Sequence, residues 1–312
     1  MSISHFDVVV VGGGHAGIEA AAVAARRGLQ VALVSLDVNA VGRMSCNPAI
    51  GGIGKGQLVR EIDALGGLMG LIADKAGIQF RLLNTSKGKA VQSPRAQCDR
   101  DVYEQVARKM LSEIPGLHML NGEIVDLLFG REGVKGVQLA DGNKISCRAV
   151  ILTTGTFLEG VLHEGLKSVE GGRVGEGASH PLGETLRKLN VPTARLKTGT
   201  PPRIDLSTVD FSQMTEQFGD ERPTPFSFLN DTVLRAGSIS CWLTKTTPKT
   251  QKIVLDNLHQ TAMYSGKIDG AGPRYCPSLE DKVVRFSDRD SHTIFLEPEG
   301  VDSNILYANG IS

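Results

Sequence analysis

The chain has 312 residues, with 34 Lys plus Arg against 34 Asp plus Glu, so it holds two domains or one large α/β unit and can bury a substantial core. With no net field to draw in a polyanion, nucleic acid would have to meet a local basic patch. Five cysteines, at 46, 98, 147, 241 and 276, form no CxxC pair and leave one over, which argues against a disulfide framework and a zinc site and for a reducing compartment. The opening MSISHFDVVVVGGG lacks a basic leader and a cleavage site, and no apolar run approaches the ~18 residues of a membrane helix. The expectation is a cytoplasmic protein without membrane contact.

Phe6 to Val11 is a continuous apolar run, as in a strand buried on both faces, and it enters Gly12, Gly13, Gly14, His15, Ala16 and Gly17. An Ala-rich helix to Arg27 follows, Gly28 stops it, and Gln30 to Ser35 gives a second buried strand. This βαβ unit opening on GxGxxG is a dinucleotide fingerprint. Gly12 allows the tight turn, Gly14 the approach of a pyrophosphate and Gly17 the packing of the helix. A glycine-rich turn that holds no ligand is the bland alternative, and the flanking strand and helix weigh against it. The slot for a ribose-binding acid is Ser35 by register, with Asp37 two positions on, and no arginine stands there for a 2′-phosphate. His15 reads as a packing residue at the helix start.

CNPAIGGIGKG at 46–56 resembles a phosphate loop but has Ala49 and Gly56 where that loop needs glycine and a hydroxyl. It reads instead as bendable backbone that carries a thiol. An amphipathic segment runs from Gln57 to Ala64, Gly66 and Gly67 break it, and a further helical piece reaches Lys75. Gln79 to Leu83 is extended, Asp99 caps a helix to about Ile114, and Leu117 to Leu120 rejoins the parallel sheet. Arg81, Lys87, Lys89, Arg95 and Arg100 stand against the single Asp99, forming either a phosphate-contact loop or a solvated charged one.

Ile124 to Phe129, Val134 to Leu139 and Lys144 to Leu152 alternate with period two, and Asp141-Gly142 makes a hairpin turn. They form a β-meander whose last strand ends in the small residues Thr153 to Thr156. Residues 206–270 lack βαβ rhythm and read as an inserted domain, leaving 1–205 and 271–312 as one discontinuous domain. Cys147 and Cys241 lie in apolar strands and should be buried and inert, whereas Cys98, in a polar run, should be exposed. Glu280 and Asp281 suit capping or ion pairing. The final SNILYANGIS is turn-rich, so the expectation is that the chain stops inside a longer protein.

GGGHAGIEAA at 12–21, MSCNPAIGGIGKG at 44–56, GTPPRID at 199–205, GPRYCPSLEDKVVRF at 272–286 and IFLEPEG at 294–300 resemble the glucose-inhibited division protein A family, also called MnmG, over essentially the whole chain. The resemblance implies a Rossmann-like FAD/NAD(P)-binding domain of the glutathione-reductase type, with a β-meander and an inserted smaller mixed α/β domain. The implied activity is addition of the carboxymethylaminomethyl (aminomethyl) group to the wobble uridine of tRNA. FAD is the implied flavin, NADH its reductant, methylene-tetrahydrofolate the one-carbon donor, and glycine or ammonium the amine source. The GTPase MnmE is the implied partner, in a complex of dimers. Members of the family are considerably longer, and the remainder carries the last flavin-binding segment and the domain that docks the GTPase. This chain therefore reads as an amino-terminal part with reduced or no activity alone.

By resemblance, the FAD pyrophosphate falls on Gly12, Gly13, Gly14, His15, Ala16 and Gly17, adenine meets the backbone of Ile124, and Ser179 is a further flavin contact. The NAD-contacting segment maps to Gly272, Pro273, Arg274, Tyr275, Cys276, Pro277, Ser278, Leu279, Glu280, Asp281, Lys282, Val283, Val284, Arg285 and Phe286. The functional cysteines match Cys46 and Cys276. Carbon 5 of uracil attacks an electrophile only after addition at carbon 6, a task that suits a thiolate. Arg43, Lys55 and a helix start near Gln57 surround Cys46, while Cys276 follows Arg274 and precedes Pro277. The favoured assignment is Cys276 as nucleophile and Cys46 as acid or base. Three rival readings are a folate- and FAD-dependent tRNA uridine methyltransferase, a thiol-disulfide flavoenzyme (for which Cys46 has no CxxxxC partner) and a non-catalytic flavin-binding fragment.

Overall fold

Strand β1 (His5–Val11) leads into helix α1 (His15–Arg26) and strand β2 (Val31–Ser35) in a computed structural model that describes residues 5–233, 239–261, 264–266 and 278–311. The two strands are parallel, with Val8 opposite Val31 and Val11 opposite Val34. Alternation sends Val8, Val10, Val31 and Leu33 into one core and Val9, Val11, Ala32 and Val34 into another. Both faces are covered, which is why these strands read as unbroken apolar runs.

Strand β3 (Ala49–Gly51), helices α2 (Gly56–Ala64) and α3 (Met69–Ala76), and strands β4 (Gly77–Leu83) and β5 (Ser93–Cys98) follow. The three strands make a small antiparallel sheet in the order β3-β5-β4. Asp99 caps α4 (Arg100–Ser112) by accepting the Val102 N–H at 3.1 Å. Strand β6 (Leu117–Asn121) lies parallel to β2, and the meander is β7 (Ile124–Gly130), β8 (Gly133–Leu139) and β9 (Lys144–Leu152). The sheet order is β6-β2-β1-β9-β8-β7. Strand β9 links the two halves, pairing antiparallel with β8 over Lys144–Ser146 and parallel with β1 over Ser146–Leu152. Residues of α1, α3 and α4 pack on one face of the parallel strands and the meander packs on the other.

Cys98 corrects the sequence reading, because it is buried at the end of β5 in the first core. Its polar neighbours misled. Gln97 is also buried and donates to the Pro298 carbonyl at 2.9 Å, and Asp99 is spent on the α4 cap, so these polar side chains are satisfied inside the protein.

Beyond β9 come an exposed hairpin, β10 (Val161–Glu164) with β11 (Lys167–Glu170), and helix α5 (Pro181–Lys188). The second large sheet is built from β12 (Arg203–Asp205), β13 (Thr215–Gln217), β14 (Cys241–Lys245), β15 (Thr293–Pro298) and β16 (Ile305–Asn309). It is antiparallel, in the order β12-β16-β15-β14-β13, and so takes strands from before, within and after residues 206–270. Helix α6 (Pro248–Asp256) precedes α7 (Leu279–Arg285), which Ser278 caps through the Asp281 N–H. Lys282 of α7 donates to the Gly310 carbonyl at 2.9 Å, tying the helix to the end of β16. No helix among the described residues is long and apolar enough to cross a membrane.

Segment 225–230 seals the first core. The Phe226 and Ser227 N–H groups donate to Asp74, the Phe228 N–H donates to Asp63, and the Phe226 ring is fully buried. Phe226→Ala is expected to cost about 3–5 kcal/mol, measured by urea unfolding, and a loss below about 1 kcal/mol would show that the segment does not close this core.

Candidate dinucleotide and thiol site

The turn from β1 into α1 can be built only from glycine at two points. Gly12 has φ +108°, and a Cβ there would lie 2.3 Å from the Thr153 carbonyl oxygen. A Cβ on Gly17 would lie 1.9 Å from the Gly12 oxygen. Gly14 differs, since a Cβ there meets nothing within 4 Å and projects into open space. Gly14 is also the N-cap of α1, with no side-chain cap bond and no acid in the first turn, so the orphan N–H groups keep their positive potential.

His15 packs edge-on against Tyr103, with ring centroids 5.5 Å apart, and burial lowers its pKa so that the ring is neutral. Its Nε2 is buried without a partner among the described residues. Ser35 ends β2, as the register required, and donates to the Asp37 carbonyl at 3.1 Å. Asp37 accepts the Asn39 N–H at 2.8 Å, so its carboxylate caps a turn. The Gly122 N–H donates to the Ser35 oxygen at 2.9 Å, which brings the buried Ile124, at the start of β7, beside that strand end.

Residues 153–179 form a second wall. The Thr153 hydroxyl lies 2.9 Å from the Val11 oxygen and 3.0 Å from the Gly12 oxygen. The Ser179 backbone bridges to Phe157 and Glu159, and its buried Oγ has no partner among the described residues. Arg173 lies over the Phe157 ring at 5.4 Å and donates to Glu176 and to the Ser45 hydroxyl, each at 2.9 Å. The Gly42 N–H in turn donates to the Gly13 oxygen at 2.9 Å. Segments 12–17, 41–47 and 153–179 thus converge at the carboxyl ends of β1, β2 and β9, the edge where open α/β sheets bind ligands.

Cys46 is exposed, and its Sγ lies 2.8 Å from the hydroxyl of Tyr307, a residue only 1% exposed. Arg203, Tyr307 and Glu297 are successive cross-strand partners on β12, β16 and β15, so they form one row on one face of the second sheet. Arg203 donates to Glu299 at 2.9 Å and to the carbonyls of Ser45 and Cys46 at 3.3 and 3.4 Å. Glu297 accepts from Asn47 at 2.5 Å and Arg95 at 2.7 Å, and Arg100 pairs with Glu299 at 3.2 Å. The basic run expected over 81–100 is therefore divided. Arg95 and Arg100 turn inward to buried carboxylates, while Lys87 and Lys89 remain exposed.

A sequence profile of the family described as Glucose inhibited division protein A matches residues 7–312. The chain belongs to that family. GidA of Aquifex aeolicus, in its form I crystal, is 50% identical over 99% of this chain and 52% of its own, with a TM-score of 0.92. The form II crystal gives 48% identity over 100% of this chain and 51% of its own, again with a TM-score of 0.92. The chain thus spans about half the length of these GidA chains.

Of the residues that the GidA resemblance nominated, Gly12, Gly13, Gly14, His15, Ala16 and Gly17 form the glycine turn and the start of α1, with Ser179 on the wall opposite. Ser278, Leu279, Glu280, Asp281, Lys282, Val283, Val284, Arg285 and Phe286 form α7 with its two flanking caps. Gly272, Pro273, Arg274, Tyr275, Cys276 and Pro277 lie outside the described residues. Sequence reasoning missed Asn47, Arg203, Glu297 and Tyr307. Each stands in or beside a quoted family motif except Tyr307, which the period-two pattern of ILYAN marks only as a strand residue.

Burial pushes the thiols of Cys98 and Cys241 up to about 12 and also raises that of Cys147. Iodoacetamide added to the folded chain at pH 8 is expected to label Cys46 while sparing these three, as mapped by peptide mass spectrometry. Equal labelling of Cys98 would contradict its placement.

Proposed function

We propose that this chain is the flavin-binding part of an FAD- and NADH-dependent enzyme that adds the carboxymethylaminomethyl (aminomethyl) group to carbon 5 of the wobble uridine of tRNA. In this reading methylene-tetrahydrofolate gives the carbon, glycine or ammonium gives the amine, the GTPase MnmE is the partner and a homodimer is the working unit. The observation that supports it best is the meeting of the uncapped α1 N-terminus, open in front of Gly14, with the exposed Cys46 loop.

The residues present fit FAD. A helix N-terminus with no competing acid suits a pyrophosphate, and the unpartnered His15 Nε2 and Ser179 Oγ are buried polar atoms that a polar ligand would satisfy. When bound, the flavin supplies two-electron redox chemistry. The first-turn N–H groups of α1 hold the pyrophosphate, the backbone of Ile124 meets adenine, and Ser179 contacts the flavin. Residues 272–286 contact NADH. The Cys276 thiolate adds to carbon 6 of uracil and converts carbon 5 into a nucleophile, and the same thiol leaves when the proton on carbon 5 is removed. Cys46, hydrogen-bonded to Tyr307, is the group that holds and moves a proton beside the flavin.

Two variants test the two halves of this reading. Gly14→Ala adds a methyl group only to the open space, so melting should be unchanged while FAD affinity, followed by flavin absorbance near 450 nm, falls at least about tenfold. Undiminished FAD binding would remove the pyrophosphate from this turn. Charge reversal of Lys87 and Lys89 together should weaken tRNA binding and flatten its log–log salt slope by about two, and an unchanged slope would take tRNA off this loop.

A further inference from the structure

We propose that Asn47 Oδ1 is a fixed acceptor for the imide N–H of a ring with a CO–NH–CO edge, the chemistry shared by the isoalloxazine of a flavin and by uracil. The inference rests on the reading above and adds to it the residue that recognises the ring.

The orientation of the Asn47 amide is set by its neighbour. Its Nδ2 donates to Glu297 Oε2 at 2.5 Å, and the other carboxylate oxygen accepts from Arg95 at 2.7 Å and from Asn309 at 3.3 Å. Glu297, ion-paired and 2% exposed, only accepts hydrogen bonds, so turning the amide over would set two acceptors against each other. Oδ1 must therefore face away from Glu297. There it is buried with no donor among the described residues, an arrangement that is rare in folded proteins.

The acceptor is adjacent in sequence to the exposed thiol of Cys46. Asn47 is bonded to Glu297 and Cys46 to Tyr307, and Glu297 and Tyr307 are cross-strand partners, so both side chains hang over adjoining points of one sheet face. The backbone N–H groups of Cys46 and Asn47 donate to no described group, and Pro48 has none to give. The same short segment thus carries an unpartnered acceptor and two backbone donors without a described partner. An ionised phosphate or carboxylate brings no donor to Oδ1.

The test compares FAD with FAD methylated on the imide nitrogen, and an anticodon stem-loop carrying uridine with one carrying 3-methyluridine at the wobble position. Binding of each is measured with the full-length protein and with its Asn47→Ala variant. In the unaltered chain one of the two methylations is expected to weaken binding at least about tenfold, and the ligand that responds identifies the source of the imide. Asn47→Ala should shrink that difference to less than about twofold, as expected when the two changes remove the same contact. Loss below about twofold for both methylations, the result if a buried water satisfies Oδ1, overturns the proposal, as does a difference that survives in Asn47→Ala. The comparison in the unaltered chain needs no variant and decides the matter even if Asn47→Ala fails to fold. Binding of both ligands with neither imide discriminated defeats this inference alone, and no binding of FAD defeats the flavin reading with it.

Discussion

Two buried carboxylates, Glu297 and Glu299, hold the molecule together where its sheets meet. They stand two residues apart at the end of β15, and each draws in donors from several parts of the chain: Asn47, Arg95 and Asn309 for Glu297, Arg100 and Arg203 for Glu299. An unpaired carboxylate at such depth would cost several kcal/mol, so the pairs are obligatory once the second sheet packs there. Their geometry fixes three things together: the small β3-β5-β4 sheet through Arg95, the start of α4 through Arg100, and the Cys46 loop through Asn47 and Arg203.

That constraint explains how a thiol can be exposed without being loose. Cys46 lies on irregular backbone, yet its carbonyl is held by Arg203, its Sγ by Tyr307 and the following side chain by Glu297. On the other side, the ion-paired series Arg173, Glu176, Arg43 and Glu104 ties the same loop to the 153–179 wall and to α4. Surface pairs of this kind contribute little individually, but a shared network lowers the entropy of the loop it spans. The loop is thereby presented at the carboxyl edge of the parallel strands, next to the uncapped start of α1.

Much of this is legible in the sequence alone. The βαβ unit, the capped α4, the return of β6 and the three meander strands fall within a few residues of the sequence reading, because each is specified locally by periodicity, a cap or a turn. The roles of Gly12 in the turn and Gly17 in helix packing were legible for the same reason. Cys98 and the Arg95 and Arg100 end of the basic run were misread because local polarity was taken as a sign of solvent. In the folded chain Gln97, Asp99, Arg95 and Arg100 are polar so that they can satisfy one another's neighbours inside it.

The sequence by itself determined the α/β layer, the glycine turn and the family, since these depend on spacing within a few tens of residues. Only the tertiary structure decided that Arg203, Tyr307 and Glu297 form one row, that Cys46 and Asn47 lie over it, and that one amide oxygen is left without a donor. Those residues are separated by up to 261 positions, and no periodicity carries information across such a distance. Strand register and the search of buried charges for partners do, and both exist only once the chain has folded.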